Sequence, residues 1–163
     1  MFIMAGFHTK TFLKHDDYMT PQSAWENIKQ YIPHDRVIWE AFYGDGKSGE
    51  YLSQLGFNVI HNDNDFFNRD EGDIVVSNPP FSIKKEILTR LKELDKPFIL
   101  LMPQNTLNNN YIRELFNNEI QIIIPRRRIQ FLKNGETGHP KKCNFDTFYY
   151  CYKIGLEKDI LFL

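Results

Sequence analysis

Asp73-Ile74-Val75-Val76-Ser77-Asn78-Pro79-Pro80-Phe81 follows Gly72, opens β-branched and closes on two prolines and a ring. A short apolar run with such boundaries reads as a buried strand of an α/β sheet. The prolines end it, because proline lacks the N–H that a central strand requires. Asn78 and Phe81 therefore sit at the carboxyl end of a strand, where ligands bind in open α/β sheets. Asn78 offers an amide oxygen, the prolines a rigid backbone whose carbonyls have no local amide partner, and Phe81 a flat apolar face. Together these groups can cradle a planar amine; read more plainly, they form a strand-ending Asn-Pro turn.

Upstream, Val37-Ile38-Trp39-Glu40 reads as a short strand, and Ala41-Phe42-Tyr43-Gly44-Asp45-Gly46-Lys47-Ser48-Gly49 as a glycine-rich turn into a helix over 48–55. Glycines at such a turn let the backbone approach a ligand closely. A phosphate-binding P-loop is disfavoured, because the residue five before Gly46 is Ala41 and not glycine. Gly56 suits a helix C-cap, and 57–61 reads as a second strand that delivers Asp63 and Asp65 at its carboxyl end. An acid about 20 residues beyond the glycine loop suits a bond to ribose hydroxyls. Nearer the start, Thr20 is a good N-cap and Pro21 suits a first helical turn, which predicts a helix over 21–31 with Ala24, Trp25 and Ile28 on one face. Downstream come a helix over 82–94, strands over 97–103 and 120–124 with a helix over 109–117 between them, and the aromatic run 145–152. The alternation predicts an α/β fold with a mostly parallel sheet, helices on both faces, and the aromatic run as an antiparallel final strand.

Asn78-Pro79-Pro80-Phe81 resembles the catalytic motif of S-adenosylmethionine-dependent amino-methyltransferases, in which Asp, Asn or Ser precedes Pro-Pro and an aromatic residue. Glu40-Ala41-Phe42-Tyr43-Gly44-Asp45-Gly46 resembles their cofactor loop, usually Glu-Pro-Phe-x-Gly-x-Gly, with Ala41 in place of the proline. Tyr18-Met19-Thr20-Pro21 before a Trp-bearing helix, and Arg128-Ile129-Gln130-Phe131 before a glycine-containing loop, resemble the two ends of the compact adenine methyltransferases of phages and viruses. The resemblance implies a minimal, Rossmann-like methyltransferase fold that moves a methyl group from S-adenosylmethionine to the exocyclic N6 of adenine, most readily in DNA. It implies cofactor contacts from Tyr18, Thr20, Pro21, Glu40, Phe42, Gly44 and Gly46. Asp63 takes the ribose, Asp65 the adenine amine, and Phe66 packs on the ring. A helix and a strand that normally separate those acids are missing here, so Asp63 and Asp65 can exchange roles or one can cap a turn. At the motif, the resemblance has Asn78 and the Pro79 carbonyl accept from the target amine, with Pro80 fixing the backbone and Phe81 stacking on the base.

A chain of 163 residues is expected to form one unit, 1–163, with 1–33 as an N-terminal cap segment and helix and 126–144 as a basic loop. The formal net charge is -1, so any nucleic-acid site must be local. Between Arg126 and Lys142 six Lys or Arg stand against one acid. Arg126, Arg127, Arg128, Lys133, Lys141 and Lys142 suit phosphates, with Phe131 as a stacking ring or a core residue; the plain alternative is a solvated charge run. Nucleic acid is the expected partner, DNA favoured and RNA the other candidate. There is no room for a separate target-recognition domain, which leaves little sequence recognition, unusual substrates, a homodimer or a partner subunit. Cys143 and Cys151 are expected to be reduced in a cytoplasmic setting, that of a host cell for a phage or viral chain. Neither follows a proline, which argues against cytosine C5 chemistry. His139 and Cys143 lack a second pair at ligand spacing, so no metal is expected, and no apolar run approaches the ~20 residues that cross a bilayer. RNA adenine methylation, protein glutamine methylation and a non-catalytic binding module are the alternatives; the intact glycines and motif argue against the last.

Overall fold

The computed structural model describes residues 18–133 and 145–163. Residues 1–17 of the cap segment, and Lys141 and Lys142 with His139 and Cys143, lie outside the described residues. In chain order the elements are β1 Tyr18–Met19, α1 Gln22–Glu26, β2 Val37–Trp39, α2 Lys47–Gln54, β3 Asn58–Ile60, β4 Ile74–Ser77 and α3 Lys84–Glu93. Then follow β5 Phe98–Pro103, α4 Asn110–Phe116, β6 Ile120–Ile124, β7 Leu132–Lys133, β8 Thr147–Tyr152 and β9 Ile160–Phe162.

The main sheet has the order β3-β2-β4-β5-β8-β6-β9. β8 runs antiparallel to both β5 and β6, while the other neighbours pair in parallel, so every strand except β8 points its carboxyl end the same way. This is the expected Rossmann-like sheet. The aromatic run is antiparallel, as its sequence suggests, but lies between β5 and β6, and β9 then adds a parallel edge. Three residues are too few to show a period. β9 pairs Ile160 with Ile122 and Phe162 with Ile124, and the Gln121 side chain ties down the loop before it, donating from Nε2 to the Leu156 carbonyl and accepting from the Leu156 N–H, both at 2.9 Å.

Strand alternation splits the core into two layers. Ile99, Leu101, Tyr149 and Cys151 face Ala24, Trp25 and Leu52 on one side of the sheet. Phe98, Leu100, Met102, Tyr150 and Tyr152 face Ile87, Leu88, Leu91 and Phe116 on the other. The helix expected over 21–31 is broken: α1 ends at Glu26, and a single 3-10 turn spans Lys29–Tyr31. Trp25 and Ile28 are buried all the same. Two side-chain bonds pin this segment, from Trp25 Nε1 to Ser48 Oγ at 3.0 Å and from the Tyr149 hydroxyl to the Ala24 carbonyl at 2.6 Å. The expected Thr20 cap is not made, since Pro21 is the N-cap and no side chain closes the helix start. Among the described residues no helix is long and apolar enough to cross a membrane.

β1 pairs with β7, Tyr18 opposite Lys133 and Met19 opposite Leu132. Beside this ladder Phe131 is only 2% exposed and stacks on Phe145 at 5.7 Å between centroids. Of its two expected roles, the structure gives Phe131 the core one. Phe131→Ala should therefore cost about 3–5 kcal/mol of stability in denaturant melts, the usual range for a fully buried phenylalanine.

Candidate functional site

The chain leaves β2 for β3 on one side and returns to β4 on the other, so the strand order reverses between β2 and β4. A crevice opens outside the carboxyl ends at such a reversal. Glu40 follows β2 there, and Ser77 and Asn78 end β4. A cleft at this point is lined by Glu40, Phe42 and Gly44 from the first loop and by Asn78, Pro79, Pro80 and Phe81 from the second. Tyr18, Met19 and Thr20 close it from the N-terminal side, with Asp45 and Ser48 at the start of α2.

Gly44 is in the left-handed region at φ 59°, and a side chain there would begin 3.1 Å from Met19 Sδ. The positive φ favours glycine at this position, and a side chain here would also have to push the Met19 sulfur aside. Gly46, the N-cap of α2, is likewise left-handed at φ 80°, and its missing side chain makes way for the Tyr43 ring.

Three polar atoms in the cleft are buried without a hydrogen-bond partner among the described residues: Thr20 Oγ1, Glu40 Oε2 and Asn78 Oδ1. Asn78 Nδ2 donates to the Tyr18 carbonyl at 3.2 Å. That bond uses the donor end of the amide and leaves the acceptor end uncommitted. Glu40 is 1% exposed; its Oε1 accepts from the Ser77 hydroxyl and, at 3.4 Å, from the Phe42 N–H. Burial pushes the Glu40 carboxyl up to about 8 from 4.5; the bonds from Ser77 and Phe42 oppose the rise, and the negative charge of Asp45 adds to it. A buried acid held neutral, with one oxygen unpartnered, suits a cationic ligand that would restore its charge.

The remaining candidates are placed elsewhere. Pro21 faces a second groove, beside Arg126, Arg127 and Arg128. Asp63 is exposed in the loop after β3. Asp65 caps a 3-10 turn: Oδ1 accepts from the Phe67 N–H at 3.0 Å and Oδ2 from Asn68 Nδ2 at 2.6 Å. Phe66 is 1% exposed and packs against Trp39 and Phe42 in the core. None of Asp63, Asp65 and Phe66 lines the cleft. In the basic segment Arg128 is clamped by Asp146 in two 2.9 Å bonds, and this guanidinium holds the Asp146 carboxyl below its usual range. Arg126 and Arg127 are exposed. Lys133 contributes its backbone to β7.

Three residues beside the cleft have partners that their place in the sequence does not announce. Ser77 binds Glu40 across two strands, and no spacing announces that pairing. Phe145 meets Tyr18, Phe81 and Phe131 within 5.4 to 5.7 Å, and so forms the wall behind the cleft. Gly49 admits the His61 ring, which would lie 2.3 Å from any side chain placed there.

No curated protein matches the chain. Among solved structures, a protein of Listeria monocytogenes described as a class I S-adenosylmethionine-dependent methyltransferase aligns with a TM-score of 0.47 at 12% identity, over 94% of this chain and 67% of its own. Residues 55–124, which include Asn78-Pro79-Pro80-Phe81, match the family model of adenine-specific methyltransferase EcoRI. That family implies S-adenosylmethionine as methyl donor, and it is the family to which the central part of this chain is similar.

Proposed function

We propose that the chain transfers a methyl group from S-adenosylmethionine to the exocyclic N6 amine of adenine in nucleic acid, with DNA the first substrate to test. The observation that carries this reading is the Asn78 amide, turned so that its nitrogen binds Tyr18 and its oxygen lies unpartnered in the cleft. An adenine amine has two N–H donors. Asn78 Oδ1 takes one and the Pro79 carbonyl the other, which favours a tetrahedral nitrogen whose lone pair is free for the methyl. Phe81, at the rim, gives the ring a face to stack on. The similarity of residues 55–124 to an adenine-specific family supports the choice of base.

The cofactor fits the residues present. Glu40 and Thr20 offer buried, unpartnered oxygens to a cationic, hydrogen-bonding molecule, and Gly44 lets the backbone approach it. S-adenosylmethionine supplies an electrophilic methyl on a sulfonium. Glu40 holds a compensating charge, Asn78 and Pro79 orient the amine, and Phe81 with Phe145 behind it keeps the base in place. Asp63, exposed beyond β3, remains the candidate for the ribose, whereas Asp65 is spent on its turn. An adenine inside a duplex must be flipped out to reach Asn78, which a single strand or a mismatch makes easier.

Transfer of tritiated methyl from S-adenosylmethionine to duplex DNA, single-stranded DNA, RNA and protein extract tests the reading, with the product nucleosides identified by mass spectrometry. N6-methyladenine in DNA is the expected product. Label only in RNA would move the substrate, and label on protein glutamine or on nothing would overturn the proposal.

A further inference from the structure

We propose that the groove beside β9 binds a single-stranded flank of the nucleic-acid substrate, with Phe162 as a platform for an unpaired base and Arg126 and Arg127 as phosphate contacts. This rests on the nucleic-acid reading above and adds a surface to it.

Strand direction supplies the first support. β6 and β9 run parallel to β2 and β4, so the residues after them emerge at the same edge of the sheet as Glu40 and Asn78. From β4 to β6 there are three strand steps, roughly 14 Å at the usual strand spacing. At about 3.4 Å per nucleotide along a stacked strand, that span is roughly four nucleotides. A base held at Asn78 therefore has its near flank passing over Arg126 and Arg127.

Side chains supply the second. Phe131, the ring that sequence associates with the arginines, is buried, so it cannot meet a base. Phe162 lines the groove with Arg126 and Arg127 and is 75% exposed. A phenylalanine that far out of the core contributes little to folding, whereas a ring next to cations is the combination that holds single strands. Arg128 is held by Asp146, but its two neighbours form no ion pair among the described residues. Across the groove stand Asn27 and Gln30, exposed amides that can bond any base edge without selecting a sequence. Duplex bases present no free face to a stacking ring, and so the occupant is single-stranded.

Fluorescence anisotropy of the full chain with labelled dT12, rU12 and a 12-base-pair duplex tests this. The single strands should bind more tightly than the duplex. Phe162→Ala should weaken them about tenfold and Phe162→Trp should restore them, within the range measured for stacked bases. Because the ring is exposed, thermal midpoints should not move. Arg126→Ala with Arg127→Ala should flatten the slope of log K against log salt by roughly 1.4, at about 0.7 per phosphate contact on a single strand. If the wild type binds and Phe162→Ala binds equally well, the groove is not the site, while methyl transfer to adenine stands. A wild type that binds neither single strand overturns this proposal, whereas the adenine reading is decided by tritiated-methyl transfer. If Phe162→Ala instead turns a dimer into a monomer by sedimentation with affinity unchanged, β9 is an edge for a second copy and the proposal falls.

Discussion

Asn78→Ala is expected to lower kcat by about 10²- to 10³-fold while cofactor affinity stays within a few-fold. The size is that of losing one preorganised hydrogen-bonding group aimed at developing charge. The split between the two constants is the informative part. Asn78 Oδ1 is used most as the nitrogen turns tetrahedral, so its loss acts on the transition state and not on the bound cofactor. Removing the amide also leaves the Tyr18 carbonyl without its donor, a local cost that a melt will register separately. Single-turnover methyl transfer and titration calorimetry on the same preparation measure both quantities. Unchanged turnover would rule out the mechanism proposed for the Asn-Pro-Pro-Phe motif.

Glu40→Gln should make the protein more stable at pH 9 and leave it about as stable at pH 5. The ordinary carboxyl value is 4.5 and the folded one is about 8, so the native state holds this proton more tightly than the unfolded chain. Below pH 4.5 both states are protonated and the burial of Glu40 costs nothing through ionisation. As pH rises from 4.5 to 8 the unfolded chain ionises first and stability falls, by at most ~1.4 kcal/mol per pH unit. Above 8 the penalty is complete. A neutral glutamine removes it, which at pH 9 should raise the thermal midpoint by roughly 10 to 20 °C at 2–4 °C per kcal/mol. The same substitution should weaken S-adenosylmethionine, because the compensating charge is gone. In the wild type, cofactor binding near pH 7 should release a proton, visible as a calorimetric heat that changes with the ionisation enthalpy of the buffer. A wild type without that release, or a variant with the wild-type pH profile, would remove Glu40 from the cofactor site.

Local pattern foretold most of the sheet. β4, β5 and β6 are buried apolar runs bounded by Gly, Pro or Asn, and each lies within two residues of its expected place. Pattern also located the two loops of the cleft, because glycines and prolines mark backbone that must turn at a strand end. It failed where a feature depends on a distant partner. The helix over 21–31 breaks although Trp25, Ile28 and Ile32 all stay buried, since what holds them is Ser48, Tyr149 and the rest of the core, not the turn of one helix. Thr20 looks like a cap because its type is right for one, yet its hydroxyl points to no helix N–H. Phe131 sits among cations in sequence and among rings in space. Asp65 binds its own turn, a choice its spacing had left open. Phe162 went unnoticed because a short edge strand has no period to display.

The pairing of β1 with β7 spans two residues on each side, and it is a separate ladder from the main sheet. So small a ladder is a unit of low local stability, able to open while the seven-stranded sheet stays closed. Its position gives that weakness a meaning. Tyr18 belongs to β1, and the Tyr18 carbonyl is what orients the Asn78 amide; Met19 lies over Gly44, and Thr20 closes the cleft. The door through which a nucleoside-sized molecule would enter and the latch that aims the amide are thus one strand of backbone. Opening of this ladder would part the Asn78 amide from the Tyr18 carbonyl, so entry to the cleft and the aim of the amide would depend on the same two residues.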